Sequence, residues 1–74
     1  MEPIHFALRG EYITLDSLLK AGGLVTSGGA AKLLIADGGV RVNGEAETRR
    51  GRKLRAGDEV VVGVSRVRLR ATAP

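Results

Sequence analysis

Five of the seven residues from 49 to 55 are cationic: Arg49, Arg50, Arg52, Lys53 and Arg55, with no acid among them. Lysine and arginine neutralise phosphates and release their counterions, and arginine adds a planar fork that grips an oxyanion with two hydrogen bonds. A solvated loop kept polar for solubility has the same composition, so the run alone does not separate the two readings. Lys32 and Arg41 are the next candidates. Arg41 alternates with Val40 and Val42 and faces away from the core if they face in. Lys32 stands one turn into an expected helix. Ser27, Gly28 and Gly29 offer a different chemistry at the expected start of that helix. Free backbone amides and the helix dipole favour an anion there, and glycine lets it approach closely. A cap followed by a flexible turn is the simpler account of those three. Arg66, Arg68 and Arg70 line one face of the last expected strand. Their expected role is to protect a sheet edge from pairing with another chain.

The inventory argues against catalysis. The chain has no cysteine and one histidine, His5, which falls in an expected strand with no Ser/Asp constellation around it. A lone histidine also makes a metal site improbable. The segment Gly28-Gly29-Ala30-Ala31-Lys32-Leu33 lacks phosphate-loop spacing, and Leu33 stands where a magnesium-binding hydroxyl belongs. No metal, cofactor or small-molecule substrate is expected. Tyr12 and Phe6 are too few for a base-stacking platform, so folded RNA suits these residues better than unpaired bases.

Positioning these side chains falls to short elements. Ile4, Phe6 and Leu8 alternate with His5 and Ala7 as in a strand. Thr14 reads as a helix cap with Asp16 in the first turn. Leu15, Leu18 and Leu19 make one apolar face, and Gly22-Gly23 stops the helix. Thr26 or Ser27 caps a second helix over roughly 28–37, with Ala31, Leu34 and Ile35 as its stripe and Gly38-Gly39 as its end. Asn43-Gly44 between Val40-Arg41-Val42 and Glu45-Ala46-Glu47 is a hairpin signal, since a type I′ turn needs positive φ at both positions. Residues 49–53 read as a basic connection and Ala56-Gly57-Asp58 as a turn. Glu59 to Val62 and Val64 to Ala71 read as strands, and residues 72–74 as a fraying end. The fold class is α+β: two short packed helices, helix-turn-helix-like, against a small, mostly antiparallel sheet.

Seventy-four residues make one domain with a thin core. The formal net charge of +4 points to a polyanionic partner. No apolar run is long enough for a signal peptide or a membrane span, so the expected compartment is the cytoplasm. The second expected helix offers only Lys32 and Asp37 as long polar side chains, too few to read DNA in the major groove.

The order Leu15-Asp16-Ser17-Leu18-Leu19-Lys20, Ser27-Gly28-Gly29-Ala30-Ala31-Lys32, Ile35 to Gly44 and Gly57-Asp58 resembles the S-four RNA-binding domain. That module is named after ribosomal small-subunit protein four and also occurs in pseudouridine synthases, tyrosyl-tRNA synthetases and heat-shock ribosome-recycling proteins. Ser-Gly-Gly and the run Glu47 to Lys53 resemble the small YbcJ-like subgroup most closely. The resemblance implies an alpha-L RNA-binding motif with its core at 14–62. It implies a non-catalytic, ribosome-associated protein of bacterial type that binds structured RNA, ribosomal or transfer. The expected contacts are Ser27, Gly28, Gly29, Lys32, Arg41, Asn43, Arg49, Arg50, Arg52, Lys53 and Arg55, and a monomer is favoured. Where the family often carries arginine after the serine that opens the second helix, this chain has Gly28, so backbone donors are expected at that corner. The competing reading is a protein-interaction module or ubiquitin-like sulfur carrier of β-grasp type, suggested by Val40 to Gly44 with Gly57 to Val60. Such carriers end in Gly-Gly, whereas this sequence ends Ala71-Thr72-Ala73-Pro74.

Overall fold

The alternating strands and the two leucine- and alanine-striped helices assemble around one core in the computed structural model, which describes residues 3–72. The elements run β1 (Ile4–Leu8), β2 (Ile13–Thr14), α1 (Leu15–Ala21), α2 (Gly28–Ala36), β3 (Val40–Val42), β4 (Glu45–Ala46), β5 (Lys53–Leu54), β6 (Glu59–Val62) and β7 (Ser65–Ala71). Five strands form one sheet in the order β1-β7-β6-β3-β4, and β2 pairs with β5 in a separate antiparallel ribbon. All pairs in the large sheet are antiparallel except β1 with β7, which run parallel with Ile4 beside Val67 and Leu8 beside Ala71. The expected α+β class with a mostly antiparallel sheet is what the chain adopts.

The helices form where the apolar spacing places them. Leu15, Leu18 and Leu19 from α1, and Ala31 and Ile35 from α2, are buried against Val40, Val42, Leu54, Val60, Val67 and Leu69. The helices therefore cover one face of the sheet and leave the other to solvent. Ser27, rather than Thr26, caps α2: its Oγ accepts from the Ala30 amide at 3.1 Å. Asn43 and Gly44 both hold positive φ, 53° and 88°, as the expected turn between β3 and β4 demands.

Several sequence expectations need correction. Thr14 occupies the α1 cap position but makes no side-chain capping bond. Its Oγ1 donates to Ser17 Oγ instead. Residues 49–53 read as a basic connection, yet Lys53 begins β5 and pairs with Thr14. Two-residue strands carry no periodicity, which is why β2 and β5 escape a pattern search. Most important, β7 is not an edge strand. It lies between β1 and β6, so Arg66, Arg68 and Arg70 protect no edge. Thr72, read as part of a fraying end, donates its hydroxyl to the Leu8 carbonyl. Ala73 and Pro74 lie outside the described residues.

Candidate nucleic-acid interface

The chain between β4 and β5 is ordered by one carboxylate. Glu47 follows the hairpin strand β4 and turns inward, where it is the one buried charged residue among those described. Its Oε2 accepts from the Arg49 amide at 3.0 Å and from Arg49 Nε at 3.1 Å. Its Oε1 accepts from Arg49 Nη2 at 3.1 Å and from Arg52 Nη1 at 2.9 Å. The side-chain bonds from Arg49 and then Arg52, with the Arg49 amide, lower the Glu47 pKa from its ordinary 4.5 to about 2. The same pairing raises the pKa of Arg49. Two guanidinium groups around one carboxylate leave the cluster with one net positive charge.

The loop in turn finishes α1. The amides of Leu15 and Asp16, which have no partner within the helix, donate to the carbonyls of Arg52 at 2.9 Å and Arg50 at 3.1 Å. The backbone of the basic loop thus does the capping expected of the Thr14 side chain. Arg50 is left exposed and, among the described residues, pairs with no carboxylate. Lys53 and Arg55 leave the loop on the β2–β5 ribbon, where Lys53 Nζ lies 4.9 Å and Arg55 Cζ 6.0 Å from the centre of the Tyr12 ring. Tyr12, too isolated to suggest a stacking platform, serves instead to gather two cations.

The remaining expected contacts lie on other elements. Gly28 and Gly29 are exposed at the start of α2, with open space where a Gly28 Cβ would stand. Lys32 is exposed on the same helix. This corner stands at the N-terminal end of α2, whereas the basic loop is bonded to the N-terminal end of α1. Arg41 does not join either group. Its strand register places it on the solvent face of the sheet, abreast of Val61 and, beyond it, Arg66. Asn43 has both ends of its amide engaged: Nδ2 donates to Asp58 Oδ1 at 3.0 Å, and Oδ1 accepts from the Glu59 amide at 3.0 Å. It fixes the hairpin tip against β6.

Sequence reasoning missed Glu47. The available signal was a glutamate closing a hairpin strand two residues before a run of arginines. It also missed that Glu59 binds Arg66 and Arg68, a pairing that depends on strand order.

Residues 6–70 match the S4 domain family. The chain is 46% identical over 52 residues to the Bacillus subtilis protein named Probable ribosome maturation protein RlbA, covering 70% of this chain and 73% of that protein. Its fold is similar to the solution structure of YbcJ from E. coli, with a TM-score of 0.73 and 36% identity, over 96% of this chain and 91% of that one. The YbcJ structure is described as revealing an αL motif involved in RNA binding. With its two helices, its hairpin and nearly all of its length inside the match, this chain belongs to the S4 domain family.

Proposed function

We propose that this chain is a non-catalytic RNA-binding domain, spanning the whole of residues 1–74, that holds structured ribosomal or transfer RNA in the cytoplasm as a monomer. The observation that carries this reading is the anchored basic loop. Glu47 and the α1 amides hold its backbone, so Arg50, Lys53 and Arg55 are presented from a main chain that needs little further ordering on binding. These three side chains contact phosphates. Arg49 and Arg52 contribute their remaining donors from fixed positions. Ser27, Gly28 and Gly29 offer backbone amides at the start of α2, with Lys32 beside them. Asn43 positions the hairpin. Family membership, the RNA-binding motif described for YbcJ and the ribosome maturation role in the name of RlbA support the same reading.

The test is fluorescence anisotropy with a bulged RNA hairpin, a single strand and a DNA duplex of equal length, at two salt concentrations. The expected result is preference for the hairpin. The Arg50→Gln/Lys53→Gln variant should bind it on the order of tenfold more weakly, with a salt slope shallower by about two. An unchanged affinity and slope would remove the loop from the interface.

A further inference from the structure

The solvent face of the large sheet carries a second concentration of positive charge that the loop-centred interface does not use. Register places Arg41, Val61 and Arg66 abreast on β3, β6 and β7. Glu59, Arg68 and His5 lie abreast on β6, β7 and β1, and Arg70 lies beside Ala7. Four arginines therefore share this face with Glu59, its one carboxylate among the described strand residues, since Glu45 of β4 pairs with Val42 and falls on the other face. Glu59 Oε1 and Oε2 accept from Arg66 Nη2 at 3.2 and 3.3 Å, and Oε2 accepts from Arg68 Nη2 at 3.0 Å. Arg70 Nε donates to His5 Nδ1 at 2.8 Å, an acceptor that brings no negative charge to offset the arginine's. Among the described residues, Arg41 reaches only the Gly44 carbonyl, at 3.5 Å.

A solvated sheet face calls for polar residues but not for a run of one charge. The arginines of β7 repeat at every second residue, and Glu59 offsets only two of them. Protection of an exposed edge, one reason for such a run, does not apply because β7 is an interior strand. The opposite face of the same strands is apolar and buried under α1 and α2. The arginines thus point away from the helices whose N-terminal ends carry the loop and the glycine corner.

We propose that this outer face is a second phosphate-binding surface, engaging a separate helical segment of the same structured RNA. The proposal rests on the RNA-binding reading above. Alternate residues on a strand stand about 6.8 Å apart, so Arg66, Arg68 and Arg70 form a line of guanidinium groups that can follow a sugar–phosphate backbone. Glu59 holds two of them in place and at the same time weakens the face's attraction for an anion. The protein would then sit between two arms of a folded RNA, with the loop on one arm and the sheet on the other.

Two RNAs separate the surfaces: a short bulged hairpin, which occupies one face, and a three-way junction, which presents a second arm. Anisotropy titrations of the full chain compare wild type with Arg66→Gln/Arg70→Gln, Glu59→Gln and Arg50→Gln. The sheet variant should bind the hairpin as wild type does but the junction several-fold more weakly, with a salt slope shallower by about two. Glu59→Gln should bind the junction several-fold more tightly, a gain that damage to the fold would not produce. Junction binding that is unchanged in both sheet variants, while Arg50→Gln still weakens the hairpin, would overturn the second surface and leave the loop interface standing. Hairpin binding that is insensitive to Arg50→Gln, or absent in wild type, would overturn the loop reading and with it this proposal.

Discussion

Two glutamates in this small protein each hold two arginines, and they do different work. Glu47 binds Arg49 and Arg52, two and five residues along the chain, and its side chain is only 8% exposed. Glu59 binds Arg66 and Arg68 across a strand pair, and its side chain is 22% exposed. Glu47 also accepts a backbone amide, so its charge fixes the course of the main chain. Around Glu59 the main chain is already fixed by the ladder between β6 and β7. The first cluster shapes a loop that would otherwise have no regular structure. The second decorates a surface whose shape is set elsewhere. The same combination, one glutamate with two arginines, is therefore structural in one place and electrostatic in the other.

The largest expected effect is on Glu47. Glu47→Ala removes charge-assisted hydrogen bonds from a buried position and should cost about 2 kcal/mol in urea denaturation. RNA affinity should fall with it, because the loop loses its anchor. Glu59→Gln should leave the denaturation midpoint close to wild type. Equal losses from the two substitutions would break the comparison.

Acid titration sharpens it. The folded pKa of Glu47 is lowered from 4.5 to about 2, so its contribution is fully present above pH 4.5 and is lost as pH falls toward 2. Stability measured by denaturant titration should decline across that window and decline less in Glu47→Gln. Arg68 and Arg66 also lower the Glu59 pKa, but Glu59→Gln leaves Glu47 and its partners in place and should retain the decline caused by Glu47.

A smaller effect is expected at Asn43, whose carbonyl oxygen receives the amide of Glu59 itself. Asn43→Gly keeps the positive φ that the turn requires and removes only the side-chain bonds. The expected loss is about 1 kcal/mol by the same denaturation measurement.

What the sequence revealed, and what it withheld, divides along the same line between local and distant partners. The helices were legible because Leu15, Leu18 and Leu19 are spaced for one helical face, and the β3–β4 turn because Asn-Gly tolerates positive φ at both positions. The basic loop was visible as composition, but its internal pairing was not. Hydropathy gives no reason for Glu47 to turn inward until the arginines that receive it have been placed. The β2–β5 ribbon is too short for periodicity to mark it. The role of Arg66, Arg68 and Arg70 was misread because alternation identifies a face but says nothing about a strand's neighbours. Only the order β1-β7-β6 turns an expected edge into an interior strand.

That order also constrains how the chain comes to be folded. β1 emerges first from the ribosome and β7 last, yet β7 is the strand that joins β1 to the rest of the sheet. Until residues 65–71 have been made, residues 4–8 have no strand to pair with. Such end-to-end pairing delays the final step and slows folding relative to a chain built from neighbouring hairpins. A truncated product lacking β7 would lose Val67 and Leu69 from the core and expose Phe6 and Leu8, a ready target for quality control during synthesis.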